Sequence, residues 1–299
     1  MRDFLETATA KRRLLPSADT DAFRLIDSSG DNLPGIELEE LAGRWLLSTR
    51  DDSIPDDLKR GLRESGRSVY WKRLDQHQKE SPTHLYGPEQ NEAFTILENG
   101  IRFELSFQSG YSQGIFLDQR DNRLALRKRM SPGSTLLNTF AYTGAFSVAA
   151  ALGGATTTTL DLSQPYLDWS KRNFELNEID PSTQYFCKGD TFHWLRRFAK
   201  QGRQFDGIIL DPPTFSRDND GKVFRVEKDY ARLVELAAGC LSPDGFLLAC
   251  TNCRQLDLHA FENQVRYGFN QPVKIDSAPM PFDFTDTPYL KSLWVEAGQ

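Results

Sequence analysis

The stretch Thr135-Leu-Leu-Asn-Thr-Phe-Ala-Tyr-Thr-Gly144-Ala-Phe-Ser147 runs from an apolar strand, through a turn holding one glycine, into a small-residue helix. Downstream of it, short apolar runs alternate with helical patterns at the cadence of a parallel sheet covered by helices on both faces. The spacing predicts strands over Thr135–Phe140, Thr157–Leu162, Gln184–Lys188, Phe205–Leu210 and Gly245–Cys250, each bounded by Gly, Pro, Asp or Asn. Helices are expected over Gly144–Leu152, Gln164–Leu176, Thr191–Lys200 and Val226–Leu241. Beyond them Val273–Ser277 and Tyr289–Val295 flank the Pro-rich Pro279-Met-Pro281-Phe and read as a closing hairpin whose last strand is antiparallel. This half of the chain is α/β.

Upstream the pattern changes. Residues 1–118 offer short strands at Phe23–Ile26, Trp45–Ser48, Val69–Lys72, Phe94–Glu98 and Ile101–Phe107, with one charged helix near Pro55–Ser65. They form a small α+β N-terminal domain, with RNA contact as a possible role, and 119–299 the larger one. Glu98-Asn-Gly-Ile101 is a hairpin signal. The polar stretch Asp75–Glu92, with Pro82 and Pro88, is a linker or exposed loop.

At 299 residues the chain has room for both domains. Its hydrophobic fraction of 39% and charged fraction of 26% exclude a membrane-embedded or disordered acidic chain. No apolar run approaches the roughly 20 residues needed to span a bilayer, and Met1-Arg-Asp-Phe-Leu-Glu lacks a signal peptide's apolar core, so a cytoplasmic location is expected. The net charge of −6 means that a nucleic-acid partner has to be held by local patches. Two basic runs qualify: Arg120, Arg123, Arg127, Lys128 and Arg129, and the set Lys59, Arg60, Arg63, Arg67, Lys72 and Arg73; either is equally readable as a solvated helix face. His77, His84, His193 and His259 have no metal-ligand spacing, so no metal is expected. Cys187, Cys240, Cys250 and Cys253 form no disulfide framework and read mainly as buried small hydrophobes.

The chemistry concentrates where parallel strands end. With Gly144 as its one glycine, the turn after the first strand makes a poor pyrophosphate cradle but permits close backbone approach to a smaller ligand. Asp161 ends the second strand, where a carboxylate can accept both hydroxyls of a ribose. Asp190 closes Lys188-Gly-Asp190, placed to meet an adenine amino group, and Asp211 follows the fourth strand in Leu210-Asp-Pro-Pro-Thr-Phe215. Any one such aspartate is as readily a helix cap, but three at successive strand ends, one in Asp-Pro-Pro, indicate a shared crevice.

These residues resemble the Rossmann-like S-adenosylmethionine-dependent methyltransferases that modify bases of large-subunit ribosomal RNA. The likeness rests on Gln113-Gly-Ile-Phe-Leu-Asp-Gln-Arg120, Asn138 to Gly144, Asp161-Leu-Ser163, Tyr166-Leu-Asp-Trp169, Asn173 to Asn177 and Asp211-Pro-Pro-Thr-Phe215, in that order. In the N-terminal part, Arg24-Leu-Ile-Asp and Asn32-Leu-Pro-Gly35-Ile resemble the small domain that precedes the catalytic one, and because the matching region begins almost at Met1 the extra RNA-binding domain of one branch is not expected. The resemblance implies a seven-stranded sheet and S-adenosylmethionine as cofactor. It places Phe140, Tyr142 and Gly144 at the methionine moiety, Asp161 on the ribose and Asp190 by the adenine. Asn138, Leu162 and Asp211 complete that set, while Gln113, Phe116 and Arg120 close over it; Gly110 and Gly114 would let the intervening Tyr111-Ser-Gln113 act as a lid.

The acceptor atom decides which further residues are needed. Carbon-5 of cytosine requires a cysteine to add to the ring first. An ungapped reading from Leu241-Ser-Pro-Asp-Gly245 puts Asn252, not Cys253, at that position, and a one-residue shift turns a side chain to the opposite face. Guanine N7 needs only orientation, and the guanine-N7 branch resembles Asp211-Pro-Pro-Thr-Phe-Ser216 and Thr251-Asn-Cys-Arg254 more closely, so guanine N7 is favoured. Asp211, Pro212, Pro213, Phe215 and Asn252 are then the candidate catalytic residues, with Phe215 stacking on the base or packed beneath its loop. Transfer to cytosine C5 through Cys253 is the alternative, and an exocyclic amino group ranks last because Thr214 precedes the aromatic. A small-molecule or protein methyltransferase and a catalytically silent RNA-binding module are the rivals from other classes.

Overall fold

A computed structural model describes residues 4–15, 17–74, 80–217, 223–269 and 271–297. They divide into two compact units, residues 1–120 with Pro281–Pro288, and residues 121–280 with 289–299. The sequence reading sets a boundary at 118/119 and does not anticipate the return of 281–288. His77 and the start of the Asp75–Glu92 stretch lie outside the described residues.

The N-terminal unit begins with α1 (Phe4–Lys11) and is built on a five-stranded sheet in the order β1 (Ala22–Asp27), β2 (Ile36–Leu41), β3 (Arg44–Thr49), β4 (Ser68–Arg73), β5 (Thr83–Tyr86). All neighbours are antiparallel except β3 and β4, which α2 (Asp56–Glu64) joins by a crossover. That helix buries Leu58 and Leu62, one turn apart, on the sheet core of Phe23, Leu25, Leu38, Leu47 and Val69. The hairpin β6 (Phe94–Glu98) and β7 (Ile101–Leu105) turns through Asn99 and Gly100, both left-handed at φ 49° and 76°, as the twist of a two-residue hairpin loop requires. The returning segment supplies Asp283, which is fully buried. Its carboxylate accepts Arg24 N–H at 2.8 Å and the Arg120 guanidinium at 3.0 Å, and its carbonyl accepts Arg12 Nη2 at 2.8 Å. Arg12 also pairs with Asp31 at 2.7 Å.

The helix α3 (Arg120–Arg129) starts at the unit boundary, and the second unit holds a seven-stranded sheet. In chain order its elements are β8 (Thr135–Thr139), α4 (Ala145–Leu152), β9 (Thr156–Asp161), α5 (Gln164–Leu176), β10 (Tyr185–Lys188), α6 (Thr191–Lys200) and β11 (Phe205–Leu210). A small hairpin, β12 (Phe215–Arg217) with β13 (Val223–Arg225), precedes α7 (Val226–Ala238), β14 (Leu241–Thr251), α8 (Leu258–Phe269), β15 (Val273–Ala278) and β16 (Lys291–Ala297). The strand order is β10-β9-β8-β11-β14-β16-β15, parallel through β14, with β16 antiparallel to both its neighbours. Successive residues serve opposite faces. Leu137, Ile208 and Leu247 enter the core under α6, α7 and α8, while Leu136, Ile209 and Leu248 meet Leu126, Phe146 and Trp294 on the other side. The buried threonines of β9 are tolerated because their hydroxyls are bonded: Thr157 to Gln184, Thr158 to Arg203 and Thr159 to Ser147. The chain passes to opposite sides of β8 in forming β9 and β11, which leaves a crevice at the carboxyl ends of these strands.

Candidate functional site

The turn after β8 is conformationally expensive. Phe140, Tyr142 and Gly144 alternate in the left-handed region at φ 51°, 51° and 76°, and such a conformation costs a non-glycine residue about 1 to 3 kcal/mol. Its neighbours over-determine it. Ala141 N–H donates to Leu160 O (3.1 Å), Gly144 N–H to Ala141 O (2.8 Å), and the Asn173 amide of α5 to Thr143 O (2.9 Å). Tyr142 N–H donates to Asp161 Oδ2 (2.8 Å), and its ring stands edge-on to Tyr166 at 4.6 Å. At Gly144 a Cβ would lie 1.9 Å from Ser170 Oγ, so no larger residue fits without displacing α5.

Asp161 is held at both oxygens, Oδ1 accepting Ser163 N–H at 2.9 Å. Burial pushes its carboxyl above the usual range and outweighs the opposing backbone bonds from Ser163, Tyr142 and Leu162. The next residue, Leu162, is exposed and offers an apolar surface beside the carboxylate. Asp190 caps α6 by accepting His193 N–H at 2.8 Å. Asp211 is half-buried, Pro212 buried and Pro213 exposed, and Phe215 opens β12 with 49% of its surface exposed, which removes the reading that packs its ring beneath the loop. Because β8 to β11 and β14 are parallel, Phe140, Tyr142, Gly144, Asp161, Leu162, Asp190, Asp211 and Asn252 all follow the same sheet edge.

Other expected residues stand elsewhere. Asn138 is buried within β8 and donates to Ser147 Oγ of α4 at 2.9 Å, bracing the turn from beneath rather than lining the crevice. Gln113, Phe116 and Arg120 belong to the N-terminal unit. There Gln113 is buried, its amide donating to Tyr111 O and accepting from Lys72 Nζ at 3.0 Å, and Arg120 is committed to Asp283; Phe116 is exposed.

Asn252 and Cys253 differ in exposure: Asn252 is exposed after β14, whereas Cys253 is 1% exposed within the core, its thiol 3.5 Å from the carboxylate of Glu227, a placement that disfavours the alternative in which it is the nucleophile. Cys250 belongs to the opposite core and lies near Ser292 Oγ, so Cys250-Thr-Asn-Cys253 forms no redox pair. Burial raises the Cys240 thiol to about 11. Sequence reasoning misses Tyr230, a fully buried α7 residue whose hydroxyl lies 2.9 Å from Leu210 O and 3.1 Å from Cys250 O, fastening β11 to β14 just before Asp211 and Asn252. It sits in the helix's apolar stripe and has no signal distinguishing it from an ordinary core ring.

The basic runs are largely spoken for. Arg120 and Arg123 are buried, and Arg129 pairs with Glu296 at 2.9 Å. Lys59, Arg60, Arg67 and Arg73 pair with Asp56, Asp57, Glu40 and Asp52, mostly in exposed ion pairs. Among the described residues no helix is long and apolar enough to cross a membrane, and no group of three His, Cys, Asp or Glu side chains could hold a metal.

A family model for S-adenosylmethionine-dependent methyltransferases matches residues 65–266. The chain belongs to this family. A Bacillus subtilis relative named "Putative ribosomal RNA large subunit methyltransferase YwbD" is 33% identical over 93% of this methyltransferase and 74% of its own length. Ribosomal RNA large subunit methyltransferase I of Pseudoalteromonas translucida is 32% identical, covering 86% and 67%. The solved structure of "a putative methyltransferase complexed with SAH" superposes with a TM-score of 0.91 at 33% identity, covering 98% of this chain and 80% of that one. The methyltransferase uses S-adenosylmethionine, and the strand-end residues fit it: a fixed carboxylate at Asp161 for the ribose, apolar Leu162 beside it, and a turn that brings backbone close at Gly144.

Proposed function

We propose that this chain methylates a base of large-subunit ribosomal RNA at a ring nitrogen, guanine N7, without a covalent enzyme intermediate. The observation that supports a non-covalent route is the burial of Cys253 beside an exposed Asn252, which presents no thiol of that pair at the sheet edge to attack a pyrimidine ring; guanine N7 rather than an exocyclic amino group rests on Thr214 standing between the second proline and Phe215. The names of the relatives support the RNA substrate.

When bound, S-adenosylmethionine supplies an electrophilic methyl: the purine N7 lone pair forms the new N–C bond, the C–S bond breaks and its pair stays on sulfur. This chain's residues have to bind and align, since N7 carries no proton to remove. Asp161 holds the ribose and Asp190 meets the adenine. Phe140, Tyr142 and Gly144 contact the methionine portion. Asp211, Pro212, Pro213 and Asn252 present polar atoms to the purine edge, with Phe215 stacking on it.

Incubation of the purified enzyme with labelled S-adenosylmethionine and ribosomal RNA from a deletion strain tests this. The expected product is 7-methylguanosine by nucleoside mass spectrometry; 5-methylcytidine or an N-methylated amino group would overturn the assignment, as would label in protein alone.

A further inference from the structure

The hairpin β12–β13 sets Phe215 directly across from Arg225 in its antiparallel register. Paired residues on such a ladder share a face. The two side chains meet there: the Arg225 guanidinium lies over the Phe215 ring at 5.3 Å from its centroid, and both residues are exposed. The neighbouring Phe224 faces the other way and is 7% exposed, its ring 6.4 Å from Phe140 and 5.8 Å from Phe192. One face of this short hairpin is thus anchored on the strained turn after β8, and the other presents an aromatic ring backed by a cation, two residues after Asp211-Pro212-Pro213. Arg225 N–H is bonded to Asp229 Oδ2 at 2.8 Å, which fixes its backbone while its side chain is spent on no carboxylate in the described structure.

We propose that Arg225 completes the seat of the target nucleotide, its guanidinium meeting the phosphate while the target base stacks on the open surface of the Phe215 ring, the two side chains acting as one platform. This inference rests on the RNA-base activity proposed above. An aromatic ring and an arginine plane are the groups that hold single-stranded nucleotides irrespective of sequence. The buried contact of Phe224 with Phe140 makes the hairpin's position dependent on the cofactor turn, so nucleotide and cofactor are aligned through one packed pair of rings.

The test compares wild type with Arg225→Ala, Arg225→Lys and Phe215→Ala, using protein-free ribosomal RNA from a deletion strain at several salt concentrations. Loss of a stacking or charge contact predicts a KM for RNA about 5- to 100-fold higher in Arg225→Ala and Phe215→Ala, with the KM for S-adenosylmethionine unchanged. The salt dependence should fall by about 0.7 in logarithmic slope for Arg225→Ala alone, and Arg225→Lys should restore that slope without full affinity. Melting temperatures within a degree or two of wild type keep folding out of the comparison. If wild type transfers methyl to RNA and both alanine variants keep its RNA KM and slope, the platform is wrong and the proposed function stands. If wild type transfers none to RNA, both fall.

Discussion

Asp161 shows how a residue's surroundings decide what can be predicted from it. Burial raises its carboxyl against the pull of three backbone bonds. In the proposed role on the ribose, Asp161 accepts both hydroxyls only when ionised, so cofactor affinity should decline as pH falls through this raised value. Titration calorimetry from pH 4 upward should show that limb in wild type, and Asp161→Asn should bind at least tenfold more weakly with the limb gone. Gly144→Ala places a methyl 1.9 Å from Ser170 Oγ at φ 76°. It should cost about 2 to 4 kcal/mol in denaturant unfolding, partly recovered by Ser170→Gly, since that hydroxyl has no hydrogen-bond partner among the described residues. Cys253→Ala should keep near-wild-type turnover, because the thiol is packed rather than presented; loss of activity with normal folding would return the cytosine route. The sequence carries the strand-end aspartates and the glycine plainly, since their types and spacing follow from the parallel fold. It does not reveal that Asn138 points down into α4, a matter of side-chain direction within one strand.

At the level of elements, Phe205–Leu210, Gln164–Leu176 and Thr191–Lys200 coincide with β11, α5 and α6, because long amphipathic or fully apolar runs leave little choice. Other elements go unread for identifiable reasons. The strand β2 starts an alternation as Ile-Glu-Leu-Glu but breaks it at the adjacent Glu39 and Glu40, so it reads as loop; β5 lies inside the polar stretch taken for a linker, and α8 goes unread although Asp257 caps it by accepting Ala260 N–H at 2.7 Å. Strands as short as β12 and β13 carry no period at all. The joint between β11 and β14 yields a prediction of its own. Tyr230→Phe removes the hydroxyl shared by Leu210 O and Cys250 O, and should lower stability by about 1 to 3 kcal/mol while reducing kcat more than the KM for S-adenosylmethionine. Burial keeps that phenol far above its ordinary titration range, so its contribution should be constant across physiological pH.

Across the whole molecule, acid sensitivity should come from a few paired carboxylates. Burial works to raise Asp31, but the side-chain bonds from Arg12 and Lys11 outweigh it and hold the carboxyl below its ordinary value. Its stabilisation is therefore complete above about pH 4 and is lost as pH falls through the lowered folded-state value. Asp31→Asn should cost about 3 to 5 kcal/mol at neutral pH by stranding the buried Arg12, and should flatten the acid limb of a thermal-melt series. The return of Pro281–Pro288 to the N-terminal unit has a consequence for how this chain can be divided. A polypeptide ending at residue 120 would leave Arg12 and Arg120 without the carbonyl and carboxylate of Asp283, and should give a collapsed amide NMR spectrum until a peptide spanning 281–288 is added. Domain shuffling at that junction is accordingly disfavoured: the front piece is inherited intact only when the far end of the gene travels with it.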